Sequence, residues 1–251
     1  MIKSYPKVNL ILKVYKRKKT EIKHRIKSLF VLDKSIFDVI NIKKSKIFSI
    51  KYFLGSKSIQ IKNCLIKKSL NYLSEKFGID VNYEIVVNKS VNLMSGLGGG
   101  SSNAANIILY ILKHNNIKVS FLDMEDIALN LGSDIPFFIS KFNSAIVSNY
   151  GDKIEKINLP KISYKVLTNK ILVSTKDVFE KMDSDEKYIS KVEFKKCLNS
   201  LLNKKFNNHY IYNDLQTYIF KVSQKLFKEF NKHKGFNKII CGSGGSILLI
   251  K

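Results

Sequence analysis

Apolar residues along the first half of the chain recur with two different periods. Residues 5–15 (YPKVNLILKVY) alternate around an apolar run, and residues 35–42, 46–53 and 81–91 repeat this period of two, which predicts strands. Residues 61–79 change to helical spacing, with apolar side chains at Cys64, Leu65, Leu70, Leu73 and Phe77. Gly78 stands where a helix C-terminus favours glycine, so this segment is predicted to be a helix.

A glycine-rich turn follows the strand at residues 81–91. Residues 95–106 read SGLGGGSSNAAN, with four glycines in five positions, and the apolar face that begins there comprises Ala104, Ala105, Ile108, Leu109, Ile111 and Leu112. This spacing predicts a helix directly after the glycines. Ser120 with Asp123 predicts a capping box that opens a short helix, which Gly132 ends.

The second part of the chain begins near residue 155. It contains a strand-like segment at residues 170–175 (KILVST), two helical segments at about 190–204 and 213–233, and a closing strand, turn and strand at 238–250 (KIICGSGGSILLI). We therefore predict an α+β protein of two domains, residues 1–155 and 156–251.

The glycine turn suggests a phosphate site. Glycines let a ligand approach the main chain closely, and a turn that opens into a helix directs several N–H groups and the positive end of the helix dipole at one point. Ser101 and Ser102 are candidates to cap the helix or to offer hydroxyls to phosphate oxygens or to magnesium. The pattern GxxxxGK[ST] is absent because no lysine follows the glycines, and GxGxxG fails at Ser101. A flexible loop ahead of a capped helix is the alternative.

Composition narrows the class of protein. The chain has 251 residues, a hydrophobic fraction of 45% and a formal charge of +24. Arg17 and Arg25 are its only arginines, so a solvated lysine-rich surface is favoured over a nucleic-acid interface, where arginine is the preferred contact residue. No apolar stretch approaches membrane-helix length, and three distant cysteines give no disulfide framework, which indicates a cytoplasmic protein.

Several segments together resemble one kinase family. GLGGGSSNAA at residues 96–105 resembles the phosphate-binding motif of the galactokinase, homoserine kinase, mevalonate kinase and phosphomevalonate kinase family. YPKVNLILKV is similar to the first motif of that family, LGSDIPFFI to the segment with its catalytic aspartate, and CGSGGS to its C-terminal glycine motif. VSTKDVF and YNDL are similar to the second domain of the branch that phosphorylates a cytidyl-linked methylerythritol.

This resemblance implies an architecture and an activity. The fold would combine an N-terminal domain like that of ribosomal protein S5 with a ferredoxin-like C-terminal domain. The activity would be transfer of the γ-phosphate of ATP, with Mg²⁺, to the 2-hydroxyl of a small-molecule cytidyl diphosphate substrate. Neither a specific nucleic acid nor a membrane would be a partner, and the enzyme would be a monomer or a homodimer.

The resemblance also assigns residues. Asp134 would accept or orient the proton of the substrate hydroxyl, and Lys7 would steady the developing charge. Asn9, on the same strand face as Lys7, would contact the methylerythritol, and His24, Thr175 and Phe179 would form the cytidine side. The residues implied to bind ATP are Asn92, Leu93, Met94, Ser95, Gly96, Leu97, Gly98, Gly99, Gly100, Ser101 and Ser102. No side chain is assigned to a metal.

The chain departs from the family at the cytidine pocket. Ile22 and Lys23 stand where the family usually has Gly-Tyr, which removes an aromatic partner for the base. A lysine cannot stack in that way, so we expect its ammonium group to approach the diphosphate of the substrate. Another kinase of the same family, for homoserine or mevalonate, is the nearest alternative, and a basic nucleic-acid-binding protein is a more distant one.

Overall fold

The first part of the chain alternates strands and helices. The computed structural model describes residues 1–169, 171–205 and 209–250. In chain order the elements up to residue 156 are β1 (Ile2–Ser4), β2 (Lys7–Val14), β3 (Ile26–Leu32), β4 (Asp38–Lys44), β5 (Ser49–Leu54), β6 (Lys57–Ile59), α1 (Leu65–Phe77), β7 (Tyr83–Lys89), α2 (Gly99–His114), α3 (Phe121–Asn130), α4 (Ile135–Ser140), β8 (Ser144–Asn149) and β9 (Lys153–Lys156).

The second part contains more helix than strand. Its elements are β10 (Tyr164–Leu167), α5 (Thr175–Asp183), α6 (Phe194–Leu202), β11 (Tyr212–Asn213), α7 (Gln216–Val222), α8 (Gln224–Lys232), β12 (Asn237–Ile240) and β13 (Ile247–Ile250). Over the described ranges, no helix is long and apolar enough to cross a membrane.

Three sheets organise these elements. The first has the order β1-β4-β7-β5-β6 and is antiparallel except where β5 lies parallel to β7. The second has the order β11-β2-β3-β8-β9, and the third is the antiparallel sheet β10-β13-β12. Strand β11 lies parallel to β2, with Tyr212 opposite Ile11, so the second part of the chain contributes an edge strand to a sheet of the first.

The two parts of the chain also share a hydrophobic core. Val8, Leu10 and Ile11 of β2 are fully buried in one cluster with Cys241, which follows β12, and with Leu248 of β13. A separate core joins the first sheet to helices α1, α2 and α4. The predicted α+β character is therefore confirmed, while a boundary at residue 155 would pass through shared packing and stays a prediction.

Local signals in the sequence predicted several element ends correctly. Gly78 adopts the left-handed conformation, with φ of 63°, and its N–H donates to the Ser74 carbonyl at the end of α1. The predicted capping box is present at α3, where Ser120 and Asp123 satisfy each other's backbone N–H groups. Both signals depend only on neighbouring residues, which explains their success.

Two predictions in the second part were wrong. No strand forms at residues 171–175, and Lys170 lies outside the described residues; the Ser174 side chain instead accepts from the Asp177 N–H and opens helix α5. The single helix predicted at 213–233 is divided, because Ser223 has extended backbone and its side chain caps α8.

A buried ion pair joins β4 to β7 behind the glycine turn. Lys89 donates to Asp38, and both side chains are almost completely buried. Asp38 also accepts from the backbone N–H groups of Ser90 and Val91 and from the Asn103 side chain at 2.9 Å. The pair therefore fixes the end of β7 against the first turn of α2.

Removing one member of this pair should be costly. Asp38→Asn leaves a buried ammonium group without its carboxylate, so we expect the free energy of unfolding to fall by about 3–5 kcal/mol in chemical denaturation. Glu84→Gln is the matched control, because Glu84 forms an exposed pair with Lys43 on the same two strands at 2.9 Å. Its loss should cost less than about 1 kcal/mol. Equal effects of the two substitutions would contradict this assignment.

Candidate active site

The glycine turn leads directly into helix α2. Gly96 and Gly98 have φ values of 78° and 67°, a region that favours glycine, and Gly98 is the N-cap of the helix. The helix begins at Gly99, and the N–H groups of its first residues have no carbonyl of a preceding turn to bind. These N–H groups and the dipole of the 16-residue helix make its N-terminus a candidate anion site.

The serines of the turn do not cap the helix. Gly98 occupies the N-cap without a side-chain hydrogen bond, and both serines lie inside the first turns. The Ser102 hydroxyl donates to the Tyr5 carbonyl at 2.6 Å and lies 2.8 Å from the Ser4 hydroxyl, so it anchors α2 to the segment before β2. Ser101 is half-buried, and it keeps the hydroxyl that is better placed for a ligand.

Lys7 connects the glycine turn to the other predicted catalytic residue. Its ammonium group donates to the Asn9 side-chain oxygen at 2.6 Å and to the Gly96 carbonyl at 3.0 Å. It also lies 3.5 Å from a carboxylate oxygen of Asp134. The Lys7 side chain is only 4% exposed, so this charge is held almost entirely by protein groups.

Asp134 stands at the start of helix α4, between Gly132 and Pro136. It is the N-cap residue, its side chain makes no capping hydrogen bond, and it is 28% exposed. A β-carbon placed on Gly98 would lie 3.1 Å from the Asp134 carboxylate and 3.1 Å from the Lys7 side chain. The predicted lysine, aspartate and glycine turn are therefore in mutual contact, with the carboxylate still open to solvent.

A second glycine turn, residues 241–246, packs on the first through backbone atoms. The Ser246 N–H donates to the Ser95 carbonyl at 3.0 Å, and the Gly245 N–H donates to the Met94 carbonyl at 3.3 Å. A β-carbon on Gly244 would lie 1.9 Å from the Gly96 nitrogen, so no larger residue fits there. Burial raises the pKa of the neighbouring Cys241 to about 12, which keeps it a neutral thiol.

The Asn213 side chain holds this second turn in place through hydrogen bonds to backbone groups. The Asn213 side chain donates to the carbonyls of Ile240 at 2.9 Å and Gly242 at 2.7 Å, and its oxygen accepts from the Leu215 N–H. Its motif, YNDL, was visible in the sequence, but the supporting role depends on a contact with residues 27 and 29 positions away. Only the folded chain shows it.

Three residues predicted for the cytidine side lie together around α5. The rings of His24 and Phe179 stack, with centroids 4.9 Å apart and planes inclined by 26°. The Thr175 hydroxyl lies 2.7 Å from the Ser243 hydroxyl, which connects α5 to the second glycine turn. His24 thus covers one face of the phenyl ring.

Asp183 belongs to the same cluster and was missed in the sequence. One of its carboxylate oxygens lies 3.0 Å from His24 Nε2, and the other lies 3.4 Å from the Arg17 guanidinium group. The signal was present, because Thr175, Phe179 and Asp183 follow one another at intervals of four on a helix and so share one face.

The segment before the glycine turn forms the rim of the site. Leu93 and Met94 are 43% and 49% exposed, and Met94 has a positive φ of 52°. Asn92 is half-buried, whereas Ser95 and Leu97 are buried beneath the turn. Among the residues that the structure describes, no group of His, Cys, Asp or Glu side chains comes together as a metal site.

Lys23 does not lie where the sequence led us to expect. Its ammonium group donates to the Ala128 carbonyl of α3 at 3.0 Å, and it is half-buried. Burial lowers the pKa of Lys23 below its usual value. The Lys23 ammonium group therefore lies on α3, and its approach to a substrate diphosphate stays a prediction.

Known proteins resemble the chain in sequence and in fold. Residues 64–141 match the N-terminal domain of the GHMP kinases. The 4-diphosphocytidyl-2-C-methyl-D-erythritol kinase of Ureaplasma parvum serovar 3 is 35% identical over 255 residues, covering 100% of this chain and 95% of that protein. The kinase of the same name from Campylobacter jejuni is 26% identical over 266 residues, covering 99% of both.

Solved structures agree on the fold. A crystal structure of a 4-(cytidine 5'-diphospho)-2C-methyl-D-erythritol kinase matches with a TM-score of 0.75 at 21% identity, over 99% of this chain and 89% of that one. Homoserine kinase from Cytophaga hutchinsonii matches with a TM-score of 0.63 at 17% identity, over 100% and 86% of the two chains.

These similarities make the chain a small-molecule kinase of the GHMP class, a group of ATP-dependent phosphotransferases. Its relatives at 35% identity extend over its whole length. The chain belongs to the family of 4-diphosphocytidyl-2-C-methyl-D-erythritol kinases.

Contact between the two glycine turns predicts a position that tolerates no side chain. Gly244→Ala would place a β-carbon against the Gly96 nitrogen, so we expect a loss of about 1–3 kcal/mol in stability and weaker binding of an ATP analogue in calorimetry. Gly235→Ala is the control, because Gly235 has a φ of 81° but open space around it. It should lose about 1–2 kcal/mol from strain and keep its affinity for the analogue. Unchanged affinity in Gly244→Ala would contradict the assignment.

Proposed function

We propose that this protein transfers the γ-phosphoryl group of ATP to the 2-hydroxyl of 4-diphosphocytidyl-2-C-methyl-D-erythritol, a step in isoprenoid precursor biosynthesis. The contact of the Lys7 ammonium group with both the Gly96 carbonyl and the Asp134 carboxylate carries the proposal. It brings a turn suited to phosphate next to a partly exposed carboxylate, the two parts that phosphoryl transfer to a hydroxyl uses. The family of the chain supplies the identity of the acceptor.

The turn binds the phosphates of ATP. The N–H groups of Gly99, Gly100 and Ser101 open a long helix, so they donate to phosphate oxygens without further rearrangement. A β-carbon on Gly99 would lie 2.8 Å from the Val91 side chain, so a larger residue does not fit at this position unless Val91 moves. Leu93 and Met94 lie at the exposed rim, where they contact the nucleotide beyond its phosphates.

Asp134 acts on the acceptor hydroxyl. Its carboxylate orients the hydroxyl and accepts its proton, while Lys7 stabilises the negative charge that develops during transfer. Lys7 cannot turn away from this position, because Asn9 and Gly96 bind its other N–H groups. Asn9 is itself fixed by its donation to Ser28 at 2.9 Å.

The cytidyl end of the substrate binds beside α5. Phe179 offers a ring for stacking, and Thr175 lies at the second glycine turn. His24 Nδ1 lies 3.0 Å from the Tyr15 carbonyl and Nε2 lies 3.0 Å from Asp183, so His24 exchanges one of these contacts for the edge of the base. Asn9 lies nearest the reacting end, next to Lys7. The His24 ring must leave the face of Phe179 if the base is to stack there.

Magnesium fits the phosphate turn better than any cluster of carboxylates. Mg²⁺ in such sites is held by phosphate oxygens, water and one or two protein oxygens, and the half-buried Ser101 hydroxyl and the Asp134 carboxylate are the protein oxygens near the turn. When bound, the ion neutralises charge on the phosphates.

The finer architecture and the surroundings of the enzyme follow the family. We assign residues 1–155 to a domain like that of ribosomal protein S5 and residues 156–251 to a ferredoxin-like domain, in a cytoplasmic monomer or homodimer. The lysines serve as a solvated surface without sequence-specific nucleic-acid binding, consistent with only two arginines in the chain. A gel-shift titration at physiological salt tests the last point, since only weak, salt-sensitive binding is expected.

Substrate identity is tested by one assay. Coupled ATP consumption is measured with 4-diphosphocytidyl-2-C-methyl-D-erythritol, homoserine and mevalonate in parallel. Turnover with the cytidyl substrate alone supports the proposal, and turnover with homoserine or mevalonate instead would assign the chain to another kinase of the GHMP class.

The role of Asp134 predicts a defect in turnover rather than in nucleotide binding. Asp134→Asn removes the proton acceptor, so we expect kcat to fall by about 10²- to 10⁴-fold, with the affinity for an ATP analogue little changed. Asp80→Asn is the matched control, because Asp80 pairs with Lys44 at the surface. An Asp134→Asn protein with wild-type kcat would remove Asp134 from the mechanism.

A further inference from the structure

Lys23 binds helix α3 at its C-terminal end. The last carbonyls of a helix lack partners within it, and here the Gly132 N–H returns to the Ile127 carbonyl at 3.1 Å, leaving the Ala128 carbonyl free for Lys23. A positive group at this end also interacts favourably with the helix dipole. The lysine therefore completes the end of α3, although it lies 105 residues away in sequence.

The end of α3 is the start of the turn that carries Asp134. Helix α3 ends at Asn130, and the Ile135 N–H donates to the Gly132 carbonyl at 3.1 Å to form the turn. From the other side Gly151 packs against this turn, because a β-carbon on Gly151 would lie 2.0 Å from the Ser133 carbonyl oxygen. The position of Asp134 thus depends on how α3 is held.

The other end of α3 is held by a separate set of ion pairs. Lys76 of α1 lies 2.7 Å from Asp123 and 2.8 Å from Asp126. These contacts fix the first two turns of α3 to α1, away from Asp134. At the final turn Ile127 packs into the core, and the Lys23 ammonium group adds a hydrogen bond from outside the helix to the Ala128 carbonyl.

The residue after Lys23 is His24, which stacks on Phe179. Two adjacent residues of one loop, residues 15–25, therefore contact different parts of the protein: Lys23 contacts α3, and His24 contacts Phe179 of α5. His24 lies in the proposed cytidine pocket. Lys23 binds helix α3, which leads into the turn that carries Asp134. Because Lys23 and His24 are consecutive residues, the backbone of this loop connects the His24–Phe179 stack directly to the end of α3.

We propose that Lys23 is a positioning residue that couples occupancy of the His24–Phe179 pocket to the placement of Asp134. The inference rests on the proposed function, since it takes that pocket to bind the cytidyl group. It also explains why a lysine is useful where an aromatic residue would face the base: its ammonium group stabilises α3 instead of the substrate.

Kinetics test the inference with Lys23→Met, which keeps the length of the side chain and removes the charge. We expect kcat for the cytidyl substrate to fall by about tenfold to a hundredfold, with KM for ATP unchanged, because Asp134 is no longer held when the pocket fills. Lys23→Arg, which can still donate to the Ala128 carbonyl, should keep most of the wild-type kcat.

Lys238→Met is the matched control. Lys238 donates to the carbonyls of Phe230 and His233 at the end of α8, both at 2.8 Å, and burial lowers its pKa as it does that of Lys23. This variant should lose a similar amount of thermal stability and keep its kcat. A fall in kcat of equal size in both variants would reduce Lys23 to a purely structural role and overturn the inference.

Hydrogen exchange gives a readout that does not depend on catalysis. Cytidine 5'-diphosphate should slow amide exchange at residues 129–135 in the wild-type protein and in Lys23→Arg, but not in Lys23→Met, even at saturating ligand. Binding of this nucleotide without protection of residues 129–135 in the wild type would overturn the inference. A rise in KM for the cytidyl substrate alone, with kcat unchanged, would instead place Lys23 on the diphosphate. A wild-type protein inactive on the cytidyl substrate would refute the proposed function separately.

Discussion

The buried ammonium group of Lys7 is the interaction on which the rest of the site depends. An almost fully enclosed positive charge is stable only where protein oxygens replace its water, and here Asn9, Gly96 and Asp134 supply them. The backbone N–H of Lys7 also donates a hydrogen bond to the Leu97 carbonyl at 2.9 Å. The start of β2, the glycine turn and the turn that carries Asp134 must therefore fold together before protein oxygens surround this charge.

The same requirement explains why the site needs both parts of the chain. The glycine turn at residues 95–100 is held from behind by the second glycine turn, through contacts between backbone atoms that leave no room for side chains. Asn213 donates to the Gly242 carbonyl of the second glycine turn, and the Thr175 hydroxyl of α5 is hydrogen-bonded to the Ser243 hydroxyl of the same turn. Backbone packing of this kind fixes the position of the N–H groups at the start of α2, and donors fixed in advance are the condition for electrostatic stabilisation of a transition state.

The sequence alone predicted the parts that neighbouring residues determine. The glycine turn before α2, the Gly78 cap and the Ser120–Asp123 box all follow from local chemistry. Family resemblance assigned roles to Lys7, His24 and Phe179, and those roles stay predictions. Contacts over long distances in sequence were not accessible in the same way. Three examples are the contacts of Ser102 with Tyr5, of Asp38 with Lys89 and of Lys23 with Ala128. In each case the tertiary fold determines which residue is the partner.

We propose that turnover requires an ammonium group at the position of Lys7, and chemical rescue of Lys7→Ala tests this requirement. We expect kcat to fall by about a hundredfold or more in the variant, and to be restored in part by added propylammonium, which can occupy the space of the missing side chain. Tetramethylammonium, which has the charge but no N–H donor, should restore nothing. A Lys7→Ala protein with undiminished kcat, or one restored equally by both salts, would contradict the account.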